Sequence, residues 1–446
     1  MKVLNRVLTT SVLATSLALV STPGSATDLM YTNSPKALQS ATQLNALSGD
    51  FLSSKLQQDG LQNAMVSSVS LFYALSVLKG GAAGDTSDLL QSLLLKNADA
   101  DITVIAPALA QALQSPVAAN SEGMGTFNLA NSIWSTTGET NGMPFVFAET
   151  FQQDSFTYYD ASAQSIDFLA NGASEKVNQW ADEKTHGLIP EVVDDKAMRT
   201  YQWLIMNAAY FEGSWAQPMY KLRARDNYQF TGLDGVTQPA DGVGARAIKG
   251  RVLDREDGSL AFSLPFAGYK YSFIIHAPSA EEANLERWLV EEAVADMPSV
   301  VVETLENRSE LYELSVRMPS FAFADTVTMT KQSAITADLG LLPLYFKSAN
   351  FSPMVDVEKT APAVVDTAVG LIKQDTKIEL DEKGVKAAAV TMIAGITKTS
   401  VGPSFPRRDI LIDRPFAFAI VENSSQTILF NGVLVQAEQS EDREEN

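Results

Sequence analysis

The stretch from Lys377 to Ile396 reads KIELDEKGVKAAAVTMIAGI, and it is unusual on physical grounds. It begins with strict alternation, because Ile378 and Leu380 fall on one face of a strand and charged residues fall on the other. This pattern predicts a half-buried β-strand that ends at Gly384.

The following segment, from Val385 to Ile396, contains one charged residue, Lys386, among small or apolar ones. Two interpretations are open. Alanines 387–389 favour a helical connection. Alternatively, the segment is a metastable loop that is exposed at first and later enters a β-sheet, where small inward side chains let the neighbouring strands part. About ten new hydrogen bonds at about 1 kcal/mol each, together with burial, would then supply on the order of 10 kcal/mol.

The composition is that of a globular, strongly acidic protein. The chain has 446 residues, 46% of them hydrophobic and 19% charged, and 33 Lys+Arg against 53 Asp+Glu give a net charge of −20. Such a charge disfavours nucleic acid and anionic membranes as partners. The absence of cysteine excludes disulfides, thiolate nucleophiles and Cys-containing zinc sites. With only His186 and His276, we expect no metal site built from several histidines.

The N-terminus is typical of a targeting segment. Lys2 and Arg6 precede an apolar stretch from Val7 to Val20, and Gly24-Ser25-Ala26 supplies small residues for cleavage. We expect a signal peptide over 1–26, one domain over 27–437 and an acidic tail over 438–446. An N-terminal anchor that is never cleaved is the alternative. The expected location is secreted or periplasmic, and export without disulfides suits a bacterial envelope or the surrounding medium.

The remaining patterns predict an α+β fold with large antiparallel or mixed sheets. Ser34-Pro35 is typical of a helix start, and an apolar stripe around Leu71 to Leu78 ends at Gly80-Gly81. Later, Leu204 to Phe211 is almost continuously apolar, as in a strand covered on both faces. The runs Ala417 to Val421 and Thr427 to Leu434 are predicted to pair as a hairpin.

Several separated motifs resemble those of the serpins, in the order in which that family carries them. The matching segments are NAMVSSVSLFYALSVLKGGAAGDT from Asn63 to Thr86, VNQWADEKTHGLI from Val177 to Ile189, NAAYFEGSW from Asn207 to Trp215, the strand from Leu264 to Pro278, and Asp413 to Phe416 with Ile428 to Gly432. The resemblance implies a fold of three β-sheets and eight or nine helices, with an exposed reactive-centre loop at about 382–409. In this family the loop inserts into a sheet as an extra strand.

The resemblance also implies a hinge at the start of the loop, formed by Glu382, Gly384, Val385, Ala387, Ala388 and Ala389. Val385 stands where Thr is commoner, but it is uncharged and compatible with insertion. Inhibitory members carry small hinge residues, so we expect a serine-type endopeptidase inhibitor that acts as a suicide substrate. A non-inhibitory serpin that serves as a binding or carrier protein is the alternative.

Counting from the hinge glutamate by the family's spacing places the reactive bond between Lys398 and Thr399. Lysine before the bond suits a protease whose specificity pocket ends in a carboxylate, as in trypsin-like enzymes. The segment from Lys398 to Pro415 is longer than usual in the family. Met392, Ile396, Thr399 and Arg407 therefore remain alternatives for the residue before the bond.

Further positions resemble the family's buried polar cluster, which governs opening of the main sheet. These are Ser67, Ser70 and Asn207, with Gln374 where His is common and Ser68 in place of the usual Pro. Gln can both donate and accept, but it does not titrate as an imidazole does. Trp215 resembles the tryptophan beneath the point where the loop first enters. Ordinary core packing is the alternative for each of these residues.

We expect no cofactor and a monomer whose partner is a trypsin-like serine protease. No basic cluster lies between Asp99 and Gln114, so no polyanion cofactor is predicted. The competing class is an enzyme, but His186 and His276 lie outside any nucleophile motif. The carboxylate pairs Asp194-Asp195 and Asp381-Glu382 are more typical of solvated surfaces than of acid/base pairs.

Overall fold

The computed structural model describes residues 35–95, 101–114, 124–185, 187, 189–222, 226–306, 309–385 and 405–437, with side chains of the first helix described from Ala41 onward. The helices are α1 (Pro35–Asp59), α2 (Ser68–Gly80), α3 (Gly84–Leu95), α4 (Ile102–Gln114), α5 (Glu149–Tyr159), α6 (Ala173–Lys184), α7 (Asp195–Met198), α8 (Leu285–Arg287), α9 (Val294–Leu305) and α10 (Ala334–Asp338). A π-helical stretch, Trp288–Ala293, joins α8 to α9, and 3-10 turns occupy Leu342–Tyr345, Ser352–Met354 and Pro362–Val364.

The strands are β1 (Ala64–Val66), β2 (Thr126–Thr136), β3 (Ala161–Ile166), β4 (Trp203–Ser214), β5 (Tyr220–Lys221), β6 (Gln229–Thr231), β7 (Thr237–Pro239), β8 (Gly242–Asp254), β9 (Leu260–Pro265), β10 (Tyr271–Ala277), β11 (Glu310–Pro319), β12 (Phe321–Met329), β13 (Ile372–Leu380), β14 (Gly384–Val385), β15 (Arg407–Leu411), β16 (Phe416–Glu422) and β17 (Thr427–Leu434).

These strands form three sheets, which confirms the predicted α+β architecture. We call the sheet with the order β12-β13-β14-β4-β2-β3 the main sheet. A second sheet has the order β1-β17-β16-β10-β9-β8-β11-β15, with β5 also pairing with β8, and β6 and β7 form a hairpin. The predicted pairing of the last two apolar runs is the β16–β17 ladder.

Helix α2 lies in the centre of the core. Every residue from Ser68 to Leu78 is buried, so the helix is enclosed on all sides, although its apolar stripe at Leu71, Ala74, Leu75 and Leu78 was expected to mark one buried face. Ser67 caps its N-terminus by accepting a hydrogen bond from the Ser70 N–H at 3.2 Å. The polar N-terminal turn therefore lies inside the protein, where each polar group needs a partner.

Helix α6 and the segment that follows it pack against the other face of the main sheet. Val177 and Trp180 from α6 and Val192 beyond it share an apolar cluster with Leu204 and Met206 of β4. The predicted two-sided burial of β4 is confirmed, because nearly all of its side chains are buried. The main sheet is thus covered by α2 on one face and by α6 on the other.

A buried ion pair joins α1 to the edge of the main sheet. Lys55 is 1% exposed, and its Nζ lies 2.7 Å from Asp59 Oδ2 and 2.9 Å from Asp325 Oδ1 on β12. The other oxygen of Asp325 accepts the Met65 N–H at 2.9 Å. Burial alone would lower the pKa of Lys55, but its hydrogen bonds with the two carboxylates outweigh that effect and the net pKa is raised.

Replacement of Lys55 tests how much this ion pair contributes to the stability of the protein. Lys55→Met leaves Asp325 buried without a cation, so we expect the free energy of unfolding to fall by about 3–5 kcal/mol. Urea unfolding at neutral pH measures the change. Lys347→Met, at an exposed position, is the matched control and should change stability by less than about 0.5 kcal/mol. Equal effects of the two substitutions would show that the pair contributes nothing to stability.

Candidate functional site

The hinge begins inside the main sheet. Strand β13 ends at Leu380, four residues earlier than predicted, and the chain then turns and returns as β14. Strand β14 is antiparallel to both neighbours: Gly384 pairs with Ser214 and Val385 with Gly213 on β4, while Val385 also pairs with Leu380 on β13. The first residues of the expected loop therefore already occupy a strand position between β13 and β4.

The turn before β14 is closed by Asp381. Its Oδ1 accepts the N–H groups of Lys383 at 2.7 Å and Gly384 at 3.2 Å, and its own N–H donates to the Gly384 carbonyl at 3.0 Å. These local bonds explain why the strand ends before Gly384, because the aspartate competes for backbone donors that would otherwise extend the ladder. Glu382, half-buried, lies in this turn.

Gly384 is a position where only glycine fits. Its φ is +154°, and a Cβ placed on it would lie 1.9 Å from the carbonyl oxygen of Gly213. Any side chain would therefore push β14 away from β4. The following residue, Val385, is 2% exposed and packs into the core on the face that it shares with Ile378 and Leu380.

Trp215 lies directly beneath the turn. Its indole Nε1 donates to the Asp381 carbonyl at 2.9 Å, and its backbone N–H donates to the Lys383 carbonyl at 3.0 Å. The ring stacks on Phe266 with centroids 4.9 Å apart and an interplanar angle of 8°. Trp215 thus binds the hinge turn by two hydrogen bonds while its ring anchors that contact in the core.

Below the hinge, β13 and β4 pair directly with each other. Residues 372–375 lie parallel to residues 205–208, with Gln374 opposite Asn207. The ladder described between the two strands does not extend over 376–380 of β13 and 209–213 of β4, where the strands separate towards β14. The main sheet is therefore closed at one end and held open at the other by two hinge residues.

The predicted polar cluster is brought together at the closed end. Ser70 Oγ donates to Asn207 Oδ1, and Asn207 Nδ2 donates to Asn131 Oδ1 on the neighbouring strand β2. Gln374 makes two bonds to the backbone of Ser67: its Oε1 accepts the N–H at 2.8 Å and its Nε2 donates to the carbonyl at 2.8 Å. The N-terminal turn of α2 is thus bonded to β4 and to β13 at once.

A second link on the opposite face was not predicted. Lys373 Nζ donates to the Val192 carbonyl at 2.7 Å and lies 3.2 Å from Asp375 Oδ2. Val192 belongs to the segment after α6 that packs on β4. This bond therefore links β13 to β4 through the layer that covers the α6 face of the main sheet. The alternation of β13 places Lys373 on the face opposite Gln374, but nothing local in the sequence indicates that a carbonyl from the α6 side lies within reach.

The far end of the loop is anchored in the second sheet. Strand β15 runs parallel to β11 from Arg407 onward, and the Pro406 carbonyl accepts the Glu313 N–H at 2.9 Å. Arg408 makes two hydrogen bonds to Asp254, at 2.7 and 2.6 Å. Residues 407–409, which the sequence placed in the loop, therefore belong to a strand. A reactive bond after Arg407 is disfavoured, because it would lie inside a hydrogen-bonded ladder.

The other predicted loop positions lie outside the described residues. These are Lys398 and Thr399 of the expected reactive bond, Ala387, Ala388 and Ala389 of the hinge, and the alternatives Met392 and Ile396. Their assignment remains a prediction from the sequence.

The candidates for an enzyme have structural partners instead. His276 is 1% exposed, its Nε2 lies 3.2 Å from Ser259 Oγ, and burial, with a contribution from Arg255, lowers the pKa of His276 to about 4. Asp194 caps α7, and Asp195 accepts the backbone N–H groups of Gly172 and Ser174. His186 lies outside the described residues.

Two further features are absent from the part of the chain that the structure describes. Within it, no group of three or more His, Asp or Glu side chains is placed to hold a metal ion. No helix there is long and apolar enough to cross a bilayer.

Comparison with known proteins agrees with this geometry. A family model described as Serpin (serine protease inhibitor) matches residues 42–437. Serpin-Z2B of wheat, Triticum aestivum, is 27% identical over 385 residues, which cover 84% of this chain and 90% of the wheat protein. Iripin-3 of the tick Ixodes ricinus is 27% identical over 376 residues, which cover 83% of this chain and 88% of the tick protein. The native stressed structure of Arabidopsis AtSerpin1 superposes with a TM-score of 0.71 at 22% identity, covering 90% of this chain and 98% of that one.

The fold and the family match together define the class of protein, a family named for protease inhibition. The chain belongs to the serpin family, which is described as serine protease inhibitor.

The two bonds of Gln374 can be tested by a change of one atom. In Gln374→Glu the carboxylate keeps the bond from the Ser67 N–H but faces the Ser67 carbonyl oxygen, so we expect a loss of about 2–4 kcal/mol at pH 7.5. Burial raises the pKa of such a carboxyl, and protonation restores a donor, so the loss should shrink as the pH falls towards 5. Unfolding by urea at both pH values measures it.

Gln332→Glu makes the same chemical change at an exposed position and is the control. If Gln374→Glu behaves like Gln332→Glu, the bonds to Ser67 do not hold the sheet closed.

The buried imidazole predicts a pH dependence of stability. The pKa of His276 is about 4 in the folded protein and about 6.5 in an unfolded chain, so only the unfolded state takes up this proton between those values. The stability that the protein gains while the His276 imidazole is neutral in both states is fully present above pH 6.5. It is lost as the pH falls to 4, which lowers the free energy of unfolding by about 3 kcal/mol. The free energy of unfolding of His276→Gln and of the parent, measured at pH 7.5, 5.5 and 4.5, isolates this effect. The variant lacks the titrating imidazole, so its free energy of unfolding should fall less steeply with falling pH. Identical slopes would contradict the assignment.

Proposed function

We propose that this serpin inhibits serine proteases as a suicide substrate, by insertion of its cleaved reactive-centre loop into the main sheet. The observation that supports this most directly is the position of β14, which holds β13 and β4 apart at the end where the loop begins. The small hinge residues, required to be glycine at 384 and uncharged at 385, fit the same role.

Until the loop is cut, the groups of the protease carry out the reaction, as they do with a substrate. The protease's serine Oγ attacks the carbonyl carbon of Lys398, and the amide bond to Thr399 breaks. The Thr399 nitrogen takes up a proton and leaves as an amine, while the Lys398 carbonyl carbon stays joined to the serine oxygen as an ester. Insertion must then outrun the water that would hydrolyse this ester, because hydrolysis releases an active protease.

The register at β14 indicates where an inserting strand would go. Continuing the pairs Gly384–Ser214 and Leu380–Val385 places Thr391 opposite both Asn207 and Gln374. Two independent ladders thus agree on one residue. Thr391 shares the inward face of Val385, so its hydroxyl would reach the polar cluster that insertion pulls apart and would offer a new partner there.

Insertion exchanges one set of hydrogen bonds for a larger one. The direct β13–β4 pairing over four positions and the bond from Lys373 to Val192 are lost. The new strand gains ladders on both sides along β4 and β13, and about ten added bonds supply on the order of 10 kcal/mol. This surplus is the energy source of the proposed mechanism.

The finer features of the proposal follow from the sequence. Lysine at position 398 suits a trypsin-like protease, because a carboxylate at the base of the specificity pocket pairs with the ammonium group. We also propose that the protein is exported through its N-terminal segment and acts as a monomer outside the cytoplasm.

The first experiment mixes the protein with trypsin and looks for a covalent complex that survives SDS. We expect such a complex, a released C-terminal fragment that begins at Thr399, and a cleaved protein that melts at a higher temperature than the intact one. A fragment that begins at Arg408 would overturn the assigned bond. A clean cut with no complex and no gain in thermal stability would favour the non-inhibitory binding protein.

A matched pair of variants tests insertion itself. Ala387→Arg places a charge on the face that Val385 shares, which must enter the core, so we expect the protein to become a cleaved substrate with at least about tenfold less complex, because burial of an unpaired charge costs several kcal/mol. Ala388→Arg places the same charge on the opposite face and should leave most of the inhibition intact. Equal loss in both variants would contradict the proposed inward face.

A further inference from the structure

One solvent face of the second sheet is basic although the whole chain is acidic. On β11 the buried residues Leu314 and Val316 alternate with outward ones, and the neighbouring strands β8 and β15 are in register with it. We call this surface the basic face; its charged residues are Arg246, Lys249, Arg317 and Arg407, with Glu313 and Asp409. Four cations against two carboxylates contrast with a net charge of −20 for the chain.

A β-bulge in β8 lets Arg246 and Lys249 share this face. Ala245 pairs with Val316 and Ile248 pairs with Leu314, so residues 246 and 247 of β8 both lie opposite Ser315. Ala247 takes a φ of +59°, a conformation uncommon for a residue with a Cβ. Arg246 follows the buried Ala245 and points outward by ordinary alternation. Without the bulge, the same alternation would direct Lys249 towards the buried side, so the irregularity keeps both cations on the surface.

The basic face is continuous with the end of the reactive-centre loop. Lys249 Nζ lies 5.1 Å from the ring centroid of Phe405, the first residue described after the loop. The Arg246 guanidinium carbon lies 5.4 Å from the Tyr220 ring centroid. Both cations therefore rest on aromatic rings, which orient them without neutralising their charge.

Arg407 completes this surface at its outer edge. It is 85% exposed and makes a 3.3 Å contact with Glu313. Two cations elsewhere on the described surface, Lys377 and Lys359, lie beside the carboxylates of Glu379 and Asp356. The basic face differs from those places because its cations outnumber its carboxylates.

We propose that the basic face is a second contact site for the target protease and selects proteases whose surface beside the active-site cleft is acidic. This inference rests on the proposed inhibitory function. A protease that holds the reactive bond must approach the chain that leads into β15, which brings its rim over Phe405 and Lys249. Opposite charges there raise the rate of productive encounter. A polyanion is a poorer fit, because the rest of a strongly acidic protein repels an extended chain of phosphates or sulfates.

The test uses two trypsins of the same specificity and opposite net charge, one anionic and one cationic. At low ionic strength the parent protein should form covalent complex faster with the anionic enzyme. The double variant Arg246→Glu, Lys249→Glu should lower that association rate about tenfold and leave the rate with cationic trypsin unchanged or higher. The difference should vanish near about 1 M salt, and the stoichiometry of inhibition should not change.

The double variant Lys331→Glu, Lys347→Glu has the same change in charge at exposed positions of another region and is the control. The proposal is overturned if the control slows the reaction as much, or if the basic-face variant slows both trypsins equally. It is also overturned if heparin binds the parent protein through these residues while the two trypsins react at equal rates. If the parent protein forms no covalent complex with either trypsin, the proposed function itself fails.

Discussion

The N-terminal turn of α2 is the constraint on which the rest of the site depends. Ser67 and Ser70 are buried, and their partners are Gln374 on one strand and Asn207 on the other. Because α2 is enclosed in the core, it cannot follow either strand when they move apart. Each strand is thus held to the same fixed point, and separation of the strands must break bonds to it. A buried polar group without a partner costs about 1–3 kcal/mol, so this cluster favours a sheet that is either closed there or refilled by another strand.

At the hinge end, by contrast, β13 and β4 are already separated in this structure. Asp381 closes a turn, Trp215 bonds to two carbonyls of that turn, and Gly384 approaches Gly213 more closely than any side chain would allow. The two ends of the main sheet therefore differ in role. In the proposed insertion, the hinge would set the register of the incoming strand, while the polar cluster would oppose its advance. A metastable protein needs both features, because a hinge without resistance would insert its loop spontaneously.

Local patterns predicted much of this arrangement. The alternation at Ile378 and Leu380, the continuous apolar run of β4 and the paired terminal strands appear as the sequence indicated. Resemblance to serpin motifs located the residues of the polar cluster and Trp215, and the structure brings Ser67, Ser70, Asn207 and Gln374 into contact. The turn that ends β13 at Leu380 was missed, although the Asp-Glu-Lys-Gly sequence has the composition of one.

Other features depend on contacts between distant segments and leave no local signal. Arg407 and Arg408 resemble loop residues in the sequence, yet pairing with β11 and the two bonds to Asp254 make them part of a strand. The bond from Lys373 to Val192 joins segments 181 positions apart in the chain. Lys249 shares the basic face with Arg246 because of a bulge whose position depends on strand register. Periodicity describes one strand at a time, so none of these was accessible from it.

In the proposed mechanism, the two anchors of the loop would account for the need to cleave it before it inserts fully. Strand β14 ends at Val385 in the main sheet and β15 begins at Arg407 in the second sheet, so the chain between them connects the two sheets. Every residue that enters the main sheet shortens this bridge by about 3.3 Å while its far end stays fixed by β15. Insertion of an intact loop is therefore limited by tether length unless β15 detaches, which would break its ladder with β11 and the Arg408–Asp254 bonds. In the proposal, a cut after Lys398 would remove that limit at once. If the register at β14 continued, residues 384–395 would run along all of β4, from Ser214 to Trp203, and the inserted strand would end three residues before the cut. The register at Gly384 and the family's spacing from Glu382 therefore give compatible positions for the end of the strand and the proposed bond.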